Sequence, residues 1–107
     1  MELVTYNTES GRSPFDDWYD RLEREAKARI TKALQRLEQG NLSSAKGVGS
    51  GVFELRIDFG PGYRVYFGRD GQTIILLLTG GDKRRQQRDI DAAILLWDDY
   101  RRRKRRT

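Results

Sequence analysis

The stretch 52–67 constrains the fold of this chain more than any other. Apolar side chains recur at every second position, Phe53, Leu55, Ile57 and Phe59, with Glu54, Arg56 and Asp58 between them. A period of two is that of a strand with one buried face. Gly60-Pro61-Gly62 then turns the chain, and Tyr63, Val65 and Phe67 resume the alternation with Arg64 and Tyr66 opposite. A three-residue turn sets Asp58 across from Arg64 and Arg56 across from Tyr66. A slip of one residue would exchange the two faces, so the pattern fixes the register. One face of the hairpin then belongs to a core, and the other gathers two arginines, two carboxylates and a tyrosine.

The flanking segments fill in the order of elements. Residues 2–6 (ELVTY) read as a short strand. Ser13 can cap a helix that Pro14 begins, with Asp16, Asp17 and Asp20 near the positive end of its dipole. Phe15, Trp18, Tyr19 and Leu22 share a face that Ala26, Ile30, Ala33, Leu34 and Leu37 continue until Gly40-Asn41. That pattern fits one long helix or a helical hairpin broken near 24–26. Residues 42–51 (LSSAKGVGSG) read as a loop. Asp70-Gly71 makes a second hairpin turn, and 73–79 (TIILLLT) is apolar on both faces, a strand covered on both sides. Gly80-Gly81 ends it, Asp82 can cap a last helix, and Ile90, Ala93, Ile94 and Trp97 stripe that helix to about Tyr100. The order is β-α-α-β-β-β-α.

The 107 residues suggest one domain. Hydrophobic residues make up 36% and charged residues 35%, with mean hydropathy −0.81, polar for a folded chain but with the apolar residues clustered. No cysteine and no histidine occur. Disulfides, thiolate metal sites and imidazole acid–base chemistry are therefore excluded, and proton transfer falls to Tyr, Lys, Arg, Asp or Glu. No metal and no cofactor is expected. The first ten residues lack the form of a signal peptide, and the longest apolar run, 74–78, is too short to span a membrane. The expectation is a soluble, cytoplasmic protein.

The net charge of +5 is unevenly placed. The run Arg101 to Arg106 (RRRKRR) holds 6 of the 21 basic residues, and the rest has 15 basic against 16 acidic, a net of −1. Residues 51–88 carry 7 basic and 4 acidic side chains, so the positive charge of the body sits on the hairpin and just after it. The run could bind RNA, DNA or an acidic surface, or be a solvated end.

Arg56 and Arg64 on neighbouring strands could reach one phosphate together, because the planar guanidinium binds phosphate oxygens in pairs. The other reading is an exposed face with cross-strand ion pairs, Asp58 with Arg64 and Glu54 with a nearby arginine. Lys83, Arg84 and Arg85 place three cations where a helix would begin, against its dipole, which a bound anion would relieve. Gly80-Gly81 would let the backbone approach such an anion closely. Tyr66 could stack on a base.

Ser13-Pro14-Phe15 with Trp18, Leu37-Glu38-Gln39-Gly40-Asn41, Gly51-Val52, Glu54-Leu55-Arg56, the segment from Gly60 to Phe67, and Gly80-Gly81-Asp82-Lys83 with Gln86-Gln87 and Asp89-Ile90 together resemble the RelE/ParE toxin superfamily. Within it they are most similar to the small HigB-like "addiction module killer" toxins of type II toxin–antitoxin systems. The resemblance covers 2–100 and implies an α+β fold, a small curved antiparallel sheet backed by an N-terminal helical hairpin with a C-terminal helix. The toxin domain is 1–100 and the basic tail 101–107.

The resemblance further implies a ribosome-dependent, metal-independent mRNA endonuclease that inhibits translation, partnered by an antitoxin of helix-turn-helix type and acting on the ribosome and mRNA. The alternatives are a ParE-like inhibitor of DNA gyrase and a noncatalytic nucleic-acid-binding module. Arg56, Arg64, Lys83 and Tyr66 are the implied catalytic residues, and Arg84, Arg85, Arg88 and Tyr63 the implied RNA-binding ones. Glu54 and Asp58 are the candidates for a general base.

Overall fold

Five strands form one sheet in the computed structural model, which describes residues 1–106. They are β1 (Glu2–Thr5), β2 (Ala45–Gly49), β3 (Val52–Ile57), β4 (Tyr63–Asp70) and β5 (Ile74–Asp82), in the spatial order β1-β5-β4-β3-β2. Helices α1 (Pro14–Asp20) and α2 (Arg24–Glu38) follow β1. After a 3₁₀ turn at Lys83–Arg85, helix α3 (Gln86–Arg105) completes a mixed α+β fold.

Two elements depart from the sequence expectation. The sheet is mixed rather than antiparallel, because β1 pairs in parallel with β5. The 42–51 segment contains a strand, β2, paired antiparallel with β3 and bulged between Gly47 and Gly49. Its sequence AKGVG has no alternation to reveal it; the open edge of β3 supplies the pairing. Gly49, Ser50 and Gly51 all have positive φ and turn the chain from β2 into β3.

The hairpin keeps its faces but not its register. Residues 58–62 form the connection, so Ile57 pairs with Tyr63, Arg56 with Arg64 and Glu54 with Tyr66. The pairing is two residues from the expected one. An even shift leaves every side chain on its predicted face, and the alternation alone therefore cannot detect it.

The first helical pattern breaks at 21–23, slightly before the expected point. Ser13 caps α1 by accepting from the Asp16 N–H at 3.2 Å. The Tyr19 hydroxyl bonds Thr31 Oγ1 at 2.7 Å, clipping α1 onto α2. Both helices cover one face of the sheet, where Phe15, Ile30, Leu37, Leu55, Ile57, Val65, Phe67, Ile75 and Leu77 form a buried cluster.

The other face is also covered. Ile90, Ala93 and Trp97 of α3 pack on Tyr6, Val52, Tyr66, Leu76 and Leu78. Gly68 is what lets α3 lie so close: a Cβ there would sit 2.7 Å from Trp97 Cδ2. The sheet is thus sandwiched, as the two-sided apolar pattern of β5 predicts, and the hairpin's polar face lies largely beneath α3. The helix also runs beyond Tyr100 through Arg105, so the described cations of the basic run form its last turns. Thr107, the final residue of the expected tail, lies outside the described residues. Among the described residues no helix is long and apolar enough to cross a membrane.

Three tyrosines donate to carboxylates, two of them between α3 and the sheet side and one between neighbouring strands. Tyr6 donates to Asp99 at 2.6 Å, Tyr66 to Glu54 at 3.2 Å, and Tyr100 to Asp70. Burial and then the neighbouring carboxylate push all three phenols up, Tyr100 to about 12. A raised phenol favours the folded state while it stays protonated. That stability is fully present below about pH 10 and is lost as pH rises toward about 12. Three of the five tyrosines should therefore titrate above pH 10 by tyrosinate absorbance, and the denaturant midpoint should fall across that interval. If all five ionise together near 10 with no loss of stability, these pairs do not hold the fold.

Candidate functional site

The polar residues of the hairpin assemble around Glu54. Its side chain is 1% exposed, at the centre of β3. Tyr66 and Gln86 both donate to Oε2, Gln86 Nε2 from 2.7 Å. Oε1 lies 3.5 Å from Arg64 Nε and 3.9 Å from Lys46 Nζ and accepts no hydrogen bond. Four elements therefore hold one carboxylate: β2 through Lys46, β3, β4 through Arg64 and Tyr66, and the start of α3 through Gln86.

Arg56 and Arg64 are direct cross-strand neighbours on this face, yet their guanidinium groups part. The Arg64 side chain is 8% exposed; Nη1 donates to the carbonyls of Gly62 and Tyr63 at 2.9 and 3.3 Å while Nε turns to Glu54. Arg56 is 56% exposed and pairs with Asp58 at 3.4 Å. The two do not converge on a common point. The expected Asp58–Arg64 pair is absent: Arg64 makes the cross-strand pair with Glu54, Arg56 pairs with Asp58 two residues along its own segment, and the shared clamp is not formed.

Tyr66 is fully buried and offers no ring to a base. Desolvation, then Glu54 and Asp89, push its hydroxyl far above the ordinary range. Tyr63 points to the opposite face, edge-on to Trp18 at 6.2 Å. Lys83, Arg84, Arg85 and Arg88 are exposed at the start of α3. Arg84 is tied to Asp82, whose carboxylate also accepts from the Arg84 N–H and caps the 3₁₀ turn instead of α3.

The glycine pair has a different occupant from the anion its sequence suggests. A Cβ on Gly80 would lie 2.5 Å from Trp18 Cδ2, and one on Gly81 2.7 Å from Asp89 Cγ. Trp18 and Asp89 press on opposite sides of β5. Desolvation there, with Asp82 nearby, raises the Asp89 carboxyl above its usual range. Lys46, Gln86 and Asp89 are the members of this site that sequence reasoning missed. Lys46 was hidden in an unrecognised strand, and the other two lie on a helix whose docking face is not local information.

Beside Glu54 opens a groove of about 300 Å³, lined by Ser43, Ser44, Ala45, Lys46, Glu54, Arg56 and Asp58. A second groove of about 740 Å³ shares Ser43, Ser44, Arg56 and Asp58 and continues to Arg29, Lys32 and Arg36 of α2. The result is a cation-lined track past a buried carboxylate, which can hold a phosphate chain at its rim and accept a proton at its floor. Among the described residues no group of three or more Asp or Glu is placed to hold a metal ion.

The chain belongs to the family described as phage-derived protein Gp49-like (DUF891), whose model matches residues 17–95. That family is part of the RelE/HigB-like toxin superfamily of toxin–antitoxin systems. The chain is also 47% identical over 64 residues to an uncharacterized protein of Haemophilus influenzae strain Rd. The match covers 58% of this chain and 65% of that protein, a little under two thirds of its length.

Proposed function

We propose that this protein is the toxin of a type II toxin–antitoxin pair and cleaves mRNA on the ribosome. The observation that supports it most is Glu54, a buried carboxylate on the floor of a groove rimmed by Lys46 and Arg56. RNA carries its own nucleophile, so the protein must orient the 2′-hydroxyl, take its proton and stabilise charge on phosphorus.

In this reading Glu54 accepts the 2′-hydroxyl proton. The 2′-oxygen bonds to phosphorus, the bond to the 5′-oxygen breaks, and that oxygen takes a proton from water. Lys46, exposed at its tip, swings from Glu54 onto the phosphate, and Arg56 leaves Asp58 to do the same. Arg64 and Tyr66 hold the Glu54 carboxylate in place. Lys83, Arg84, Arg85 and Arg88 meet flanking phosphates or ribosomal RNA. A cognate antitoxin would restrain the activity.

Primer extension on translated mRNA after expression should show cuts within codons, with 2′,3′-cyclic or 3′-phosphate ends. Arg56→Ala should lower cleavage by about 10²-fold, the usual effect of removing one charge-stabilising donor, while leaving the melting temperature nearly unchanged because the side chain is exposed. Intact mRNA together with loss of DNA supercoiling would replace this reading with gyrase inhibition.

A further inference from the structure

The far end of α3 carries a second basic site that the proposed reaction does not use. Four described cations of the run are paired with carboxylates: Arg102 and Arg103 share Asp99, Lys104 pairs with Asp70 and Arg106 with Glu9. Arg101 and Arg105 have no carboxylate within ion-pair distance among the described residues. They lie one helical turn apart and line a groove of about 730 Å³ together with Arg69 of β4. The Arg69 Nε is buried and has no hydrogen-bond partner. Trp97 and Tyr100, stacked at 5.6 Å and 13°, line the groove together with Phe53.

We infer that this groove binds single-stranded RNA, two or more phosphates on the guanidinium row and a base against the Tyr100 edge. An unpaired, half-buried guanidinium favours a bidentate oxyanion. Cations alternating with a flat aromatic surface match a strand that repeats phosphate and base. Asp70 also lines the cleft, held there by Lys104, and the three guanidiniums without a carboxylate give the cleft a net positive charge. From Gln86 at the first site to Arg101 is about 22 Å along the helix at ~1.5 Å per residue. One RNA could therefore touch both sites only over several nucleotides. The choice of RNA as the polyanion rests on the proposed function; the groove itself does not.

The test titrates the full chain with a fluorescein-labelled oligouridine across a range of salt concentrations, and follows the Trp97 indole N–H by NMR. Arg101→Gln/Arg105→Gln changes two exposed side chains and should leave the melting temperature unchanged. It should weaken RNA binding at least tenfold and lower the slope of log K against log salt by about 1.4, about 0.7 for each phosphate that no longer meets a cation. In the unaltered protein the Trp97 signal should move with RNA. Unchanged affinity and slope in the double variant would overturn the inference, even if mRNA is cut normally, in which case the first site stands alone. RNA binding here without any mRNA cleavage would support the groove and sink the nuclease. An oligoglutamate that binds as tightly and shifts Trp97 equally would make the groove a docking surface for an acidic protein and overturn the RNA assignment.

Discussion

Glu54→Ala is expected to unfold much of the protein, and Glu54→Gln to leave it folded but inactive. The alanine variant strands the buried Arg64 guanidinium, the Tyr66 hydroxyl and the Gln86 amide at once. Removing one partner of a buried charge pair costs about 3–5 kcal/mol, a large part of the stability of a domain this size. Glutamine keeps the volume and a carbonyl oxygen for Tyr66 and Gln86 to donate to, so it leaves only the Arg64 guanidinium without its counter-charge and should cost less stability than alanine. It cannot take a proton, so RNA cleavage should fall by about 10²–10⁴-fold, the range a positioned general base supplies. Denaturant unfolding and cleavage assays on the same two variants separate the roles. A glutamine variant that cuts RNA at the normal rate would remove Glu54 from the chemistry and leave it a purely architectural residue.

Gly68→Ala should cost far more than the same methyl added at Gly47. The new Cβ would fall 2.7 Å from Trp97 Cδ2 and closer still to the ring edge, with Trp97 itself buried between helix and sheet. A rigid indole has no slack to give, so α3 must lift. Overpacking of this kind costs about 1–3 kcal/mol or more, and each kcal/mol lowers the melting temperature by about 4–8 °C in a domain near this size. Gly47→Ala is the control, since its Cβ meets only Phe53 at 4.0 Å and its φ is not positive. Equal melting temperatures for the two variants would mean that α3 is not seated on β4 as described.

The parts of the fold written in local periodicity were legible in the sequence: the hairpin faces, the doubly apolar β5, the stripe of α3 and the Ser13 cap. What failed was information that lies between elements. β2 has no pattern of its own and exists because β3 has an edge to fill. The hairpin register moved by two, a shift invisible to alternation. Glu54, Arg64 and Tyr66 illustrate the deeper limit. A strand that alternates apolar with polar residues looks the same whether the polar side meets water or a satisfied buried network. Only the helix that closes over it decides, and the position of that helix depends on Gly68 accepting Trp97. Likewise Gly80-Gly81 announces a close approach without saying what approaches.

That doublet also leaves a thin wall, since neither residue carries a side chain. With an indole flush against one side of the backbone and the Asp89 carboxylate against the other, a single peptide unit separates the α1 layer from the neighbourhood of Glu54. Packed interiors yield little and pass displacement onward. Any displacement of the Trp18 indole toward the sheet would thus meet the backbone that Asp89 presses from the other side.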